Sequence, residues 1–69
     1  MQYGHFTDER IDDIRSGALM TAEERTFLIE DTPRLEECGH TGAELALMSD
    51  AALMDAAYSA WVDYARDMF

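Results

Sequence analysis

The polar positions after Asp50 fall on one stripe. From Asp50 to Phe69 the chain contains neither Gly nor Pro. At 100° per residue, Asp55, Ser59, Asp63, Arg66 and Asp67 share an arc about 120° wide. Leu53, Met54, Ala57, Tyr58, Ala60, Trp61, Tyr64, Ala65 and Met68 cover the rest. An apolar face that broad predicts a helix surrounded by others, with Trp61 in the core.

The first 50 residues read as shorter helices with clear punctuation. Thr7 is an N-cap, and Asp8 and Glu9 follow in the first turn, where the helix dipole favours anions. Phe6 before the cap and Ile11 at the fourth helical position fit a hydrophobic staple. With Gly17 as the stop, this predicts a helix over 8–16. Thr21 and Glu24 match a capping box for a second helix, which ends near Asp31 because Pro33 disfavours helix at Thr32.

A short helical turn through Leu35 and Cys38, stopped by Gly39, comes next. Thr41 and Glu44 form another capping box. Ser49-Asp50 suits a fresh start, with Met48 and Leu53 as a staple; one continuous helix from about residue 42 is the alternative. No run of four or more residues alternates like a strand. The expected fold is all-α: a small single-domain bundle of three to five helices around a long C-terminal core helix.

Charge then becomes the main question. The chain has 15 acids, five Arg, no Lys and a formal net charge of −10 over 69 residues. Ten of the acids stand in doublets: Asp8-Glu9, Asp12-Asp13, Glu23-Glu24, Glu30-Asp31 and Glu36-Glu37. Apolar content of 48% is too high for a disordered acidic tail. A chain this short buries only about 60% of its unfolded surface, so a partner or a second copy would add stability; a homodimer is compatible with this.

The acidity argues against direct nucleic-acid binding and against anionic membrane surfaces, both of which need clustered cations. No apolar run reaches the length of a membrane span, and the N-terminal residues lack signal-peptide character. Cys38 is the single cysteine, which suits a reducing cytosol. The expected location is cytoplasmic, the host cytoplasm if a phage encodes the chain.

Candidate chemistry is sparse. Cys38-Gly39-His40, with His5, supplies too few ligands at the wrong spacing for zinc, and the ordinary reading is a packed thiol beside a loop histidine. No nucleophile motif, Gly-rich phosphate loop or triad spacing appears. Neither an enzyme nor a cofactor is expected.

The doublets are what remains. Asp8-Glu9 and Asp12-Asp13 lie four residues apart, about 6 Å along one helical face. That is one charge per roughly 3 Å, close to the 3.4 Å of a DNA strand. Glu30-Asp31 falls at the negative end of its helix, a locally unfavourable place. The plain explanation is solubility.

The functional explanation is a small inhibitor that mimics nucleic-acid charge and blocks the basic groove of a nucleic-acid-binding protein. Its expected contact residues are Asp8, Glu9, Asp12, Asp13, Glu30, Asp31, Glu36 and Glu37. In size and charge the chain resembles the small acidic inhibitors that phages direct at CRISPR or restriction systems. The competing expectation is a helical interaction module, a regulator or complex subunit. It would bind through apolar residues outside the core, such as Phe6, Met20, Phe27 and Phe69.

Overall fold

A computed structural model describes residues 6–68. They form four α-helices: α1 (Asp8–Arg15), α2 (Ala22–Asp31), α3 (Gly42–Ala46) and α4 (Asp50–Met68). Two 3-10 turns, Thr32–Arg34 and Glu36–Cys38, link α2 to α3. No strand runs through the described residues, and the fold is all-α.

Local sequence explains each boundary. The Thr7 hydroxyl accepts the Arg10 N–H at 3.2 Å and opens α1. At the other end the N–H of Gly17 donates to Ile14 O at 3.1 Å and that of Ala18 to Asp13 O at 2.9 Å. This is a Schellman closure, and Gly17, at φ 121°, occupies the position that favours glycine. Capping boxes are complete at Thr21–Glu24 and at Thr41–Glu44. The Pro33 segment is two tight turns rather than one, divided at Leu35, whose extended backbone (φ −87°, ψ 130°) interrupts the helix.

The continuous helix from residue 42 is not what forms. α3 stops at Ala46 and α4 starts afresh at Asp50. Ser49 caps the new start, its hydroxyl accepting the Ala52 N–H at 3.2 Å. The carbonyls of Ala46 and Met48, left over where α3 ends, both accept from the Arg25 guanidinium. A break that satisfies its own backbone groups costs little, and it lets α3 pack on α2.

α4 spans 19 residues, about 28 Å. α1, α2 and the Glu36–Cys38 turn all pack against it. Its Leu53, Met54, Ala57, Ala60 and Trp61 are buried, while Asp55, Ser59, Asp63, Arg66 and Asp67 are exposed, as the stripe requires. Tyr64 departs from expectation: it is exposed, because the continuous buried face ends at Trp61. The Met68 side chain, Tyr3, His5 and Phe69 lie outside the described residues.

Phe6 is fully buried rather than available to a partner. Its ring centroid lies 6.1 Å from Phe27 and 6.0 Å from Trp61, so the three rings cross the bundle from α2 to α4. Ile11, Ile14, Leu28 and Leu45 complete the centre of the core. The Cα radius of gyration is 11.1 Å, the value expected for an ordinary domain of this length despite the charge of −10.

Candidate protein-interaction surface

Three arginines bridge the helices of the bundle. Arg10, on α1, places Nε and Nη2 on the two Glu24 carboxylate oxygens of α2, each at 2.8 Å, and also donates to Leu19 O. Arg15, at the end of α1, pairs with Asp55 of α4 at 3.0 Å and lies 4.8 Å from the centre of the Tyr58 ring. Arg25, on α2, reaches Asp50 of α4 at 2.8 Å as well as the two carbonyls before it. Each of the three helix pairs among α1, α2 and α4 is therefore tied by one guanidinium.

Two acids in this scheme have further partners. Glu24 also accepts the Thr21 N–H, and the Arg10 hydrogen bond is the main cause that lowers its pKa from 4.5 to about 2. Asp50 accepts the Met20 N–H at 2.9 Å with its second oxygen. The Glu44 carboxyl is likewise lowered, chiefly by the Thr41 N–H it accepts.

None of Glu24, Asp50 and Asp55 belongs to the eight expected contact acids. Those eight sit in two segments. Asp8, Glu9, Asp12 and Asp13 are exposed along α1. Glu30 and Asp31 end α2, and Glu36 and Glu37 follow in the second 3-10 turn. Both α1 and that turn pack on α4, so one helix carries both segments.

Among the described residues no arginine lies within ion-pair distance of Glu9, Asp12, Asp13, Glu30 or Glu36. Asp31 has Arg34 at 4.0 Å, a weak exposed pair. Glu37 is half-buried, and its Oε2 is shielded from solvent without a hydrogen-bond partner. Thr32, fully buried at the end of α2, has a hydroxyl in the same condition.

Some features had no place in the sequence reasoning. Leu19 is 79% exposed and Leu47 89%, although both are large and apolar. Two shallow grooves flank Phe27. One, about 340 Å³, is lined by Thr21, Glu23, Glu24 and Phe27; the other, about 400 Å³, by Ala22, Glu23, Thr26, Phe27 and Glu30. The 23, 26, 27, 30 spacing of one helical stripe was the available signal for the second groove.

Cys38 is buried, and its thiol sits 3.5 Å from the His40 carbonyl it faces as donor. Among the described residues no three His, Cys, Asp or Glu side chains converge as a metal set. Among the same residues no helix is long and apolar enough to cross a membrane. No protein-family model, curated protein or solved structure gives a significant match to this chain.

Proposed function

We propose that the chain is a small acidic protein-binding inhibitor that mimics nucleic-acid charge and occupies the basic groove of a nucleic-acid-binding protein or complex. The observation that carries this reading is the division of labour among the carboxylates. Arg10, Arg15 and Arg25 engage Glu24, Asp55 and Asp50. Glu9, Asp12 and Asp13 of α1 and Glu30 near the end of α2 are exposed and engage none of these arginines.

A protein needing only solubility gains nothing from leaving like charges adjacent, since such pairs at helical spacing cost a few tenths of a kcal/mol each. A cationic groove offsets that cost and draws the chain in by long-range attraction. The inhibitor class is the one phages use against host CRISPR or restriction systems, and its site of action would be the host cytoplasm.

The test is competition. A partner captured from host lysate is challenged with duplex DNA, and the captured fraction is compared for the chain with all eight contact acids changed to their amides. Release by DNA, together with no capture by the amide variant, supports mimicry. A complex that DNA leaves intact, or that the amide variant forms equally well, overturns it.

Leu19 and Leu47 favour a second reading, a helical interaction module using apolar contacts or a second copy of the chain. Here Phe6 is no contact residue, being core, whereas Met20 and Phe27 are only partly buried. Light scattering on the purified chain separates the two: a tight dimer dissociated by Leu47→Ser supports the module.

A further inference from the structure

Two loops of the bundle are pinned to the same ion pair. The Met20 N–H donates to Asp50 Oδ2 at 2.9 Å, and the Arg25 guanidinium that meets Asp50 Oδ1 also donates to Met48 O. Each loop carries a leucine beside that methionine: Leu19, 79% exposed, and Leu47, 89% exposed. The two methionines are partly buried and pack against the core.

Both leucines are positioned through the backbone. Leu19 O accepts from Arg10 at 2.9 Å, and the Leu47 N–H donates to Glu44 O at 3.2 Å. The carbonyls on either side of Leu47, those of Ala46 and Met48, are both held by Arg25. Neither leucine side chain belongs to the core, so folding does not account for an apolar residue at either position. A single exposed leucine is ordinary. Two on jointly anchored loops, each beside an adaptable methionine, give an apolar surface that is ordered before anything binds.

Charge selects what covers it. Asp13 and Glu44 are exposed, and their carbonyls accept the N–H groups of Ala18 and Leu47, so each loop is fastened to an acidic residue. The two arginines that hold the loops are committed, Arg10 to Glu24 and Arg25 to Asp50. A second copy of the chain would bring another net charge of −10 to the contact. Two leucines and two partly buried methionines also fall well short of the roughly 800 Å² that each partner of a stable interface buries. A cationic helix with an apolar stripe meets the acids and the leucines at once.

We propose that Leu19 and Leu47, with Met20 and Met48 beside them, form a docking surface for a basic amphipathic helix of a partner protein. The leucines seat on the apolar stripe of that helix, and its cations face the flanking acids. The proposal rests on the mimicry reading only for the partner being basic. It adds an apolar anchor that charge mimicry alone does not supply.

An amphipathic helical peptide of Leu and Lys serves as the probe, beside the same peptide with every Leu replaced by Ala. The two carry equal charge, and binding is followed by calorimetry and by the methyl resonances of Leu19 and Leu47. The wild-type chain is expected to bind the Leu peptide about ten-fold more tightly, with both methyl sets moving. Leu19→Ser with Leu47→Ser, both at exposed positions, removes the preference. Asp12→Asn with Asp13→Asn weakens both peptides alike and keeps it.

Equal affinity for the two peptides, unmoved methyls, or a preference that survives the leucine changes overturns the proposal. So does a wild-type chain that sediments as a dimer until Leu47→Ser is made, since a second copy then covers the surface. Failure here with the eight-acid dependence of partner capture intact leaves charge mimicry standing. The reverse pattern leaves the docking surface without the wider mimicry.

Discussion

Arg25 and Asp50 meet at 2.8 Å across the interface between α2 and α4, and this contact organises the turn between α3 and α4. Asp50 is the first residue of α4, so its carboxylate also sits at the positive end of that helix. Arg25 adds the Ala46 and Met48 carbonyls, and Asp50 adds the Met20 N–H. Three chain segments therefore depend on one ion pair. Arg25→Ala is expected to cost about 2 kcal/mol in denaturant unfolding, since it leaves a partly buried carboxylate and two carbonyls without their donor. Arg25→Lys should recover less than half, because one ammonium does not reproduce the planar fork.

Much of the fold was legible because its signals are local. The caps at Thr7, Thr21 and Thr41 and the stop at Gly17 are read from spacings of three to five residues, and the bundle uses all of them. The arginine ties were not legible. Arg10–Glu24 spans 14 residues and Arg25–Asp50 spans 25, and no periodicity encodes which acid a given arginine will find. The break at Leu47 has no local signal of this kind either, since Arg25, distant in sequence, caps it. Phe6 reads from the sequence both as a staple residue and as a possible contact, and the staple position that starts α1 carries it into the core. Of the candidate surface, charge was legible from the doublets, and exposure was too except at Glu24, Asp31 and Glu37, which are partly buried. Which acids the arginines would neutralise was not.

Glu24 gives a pH signature. Its folded pKa of about 2 lies below the ordinary 4.5. The unfolded chain therefore binds this proton more readily, so the contribution is complete above about pH 4.5 and is lost as pH falls through about 2. Urea unfolding of wild type and Glu24→Gln should show the stability gap between them constant from pH 7 to 5 and closing toward pH 2. Comparing the two chains cancels the changing repulsion of the other acids.

The aromatic crossing from Phe27 through Phe6 to Trp61 is the part of the core least able to tolerate truncation. Phe6→Ala removes a fully buried ring, at a cost of about 3–5 kcal/mol. For a chain this small that is a large share of total stability. Circular dichroism is expected to show the variant largely unfolded at room temperature, while Phe6→Leu keeps a cooperative transition at lower temperature.

Leu47 gives the opposite case. At 89% exposed it adds little to folding, so Leu47→Ser should shift unfolding by less than about 0.5 kcal/mol. Light scattering on the same variant then reports association without interference from lost stability. A monomeric wild type that stays monomeric on substitution is the outcome that fits the inhibitor reading.

The salt dependence of binding tests the central claim most directly. Calorimetric titration of the captured partner between about 50 and 200 mM salt should show affinity falling at least ten-fold, as when several charges are neutralised at once. The chain with Asp12→Asn, Asp13→Asn, Glu30→Gln and Asp31→Asn should bind more weakly and with a shallower slope. An affinity that stays level across that range, or an equal slope for the two chains, would contradict the account.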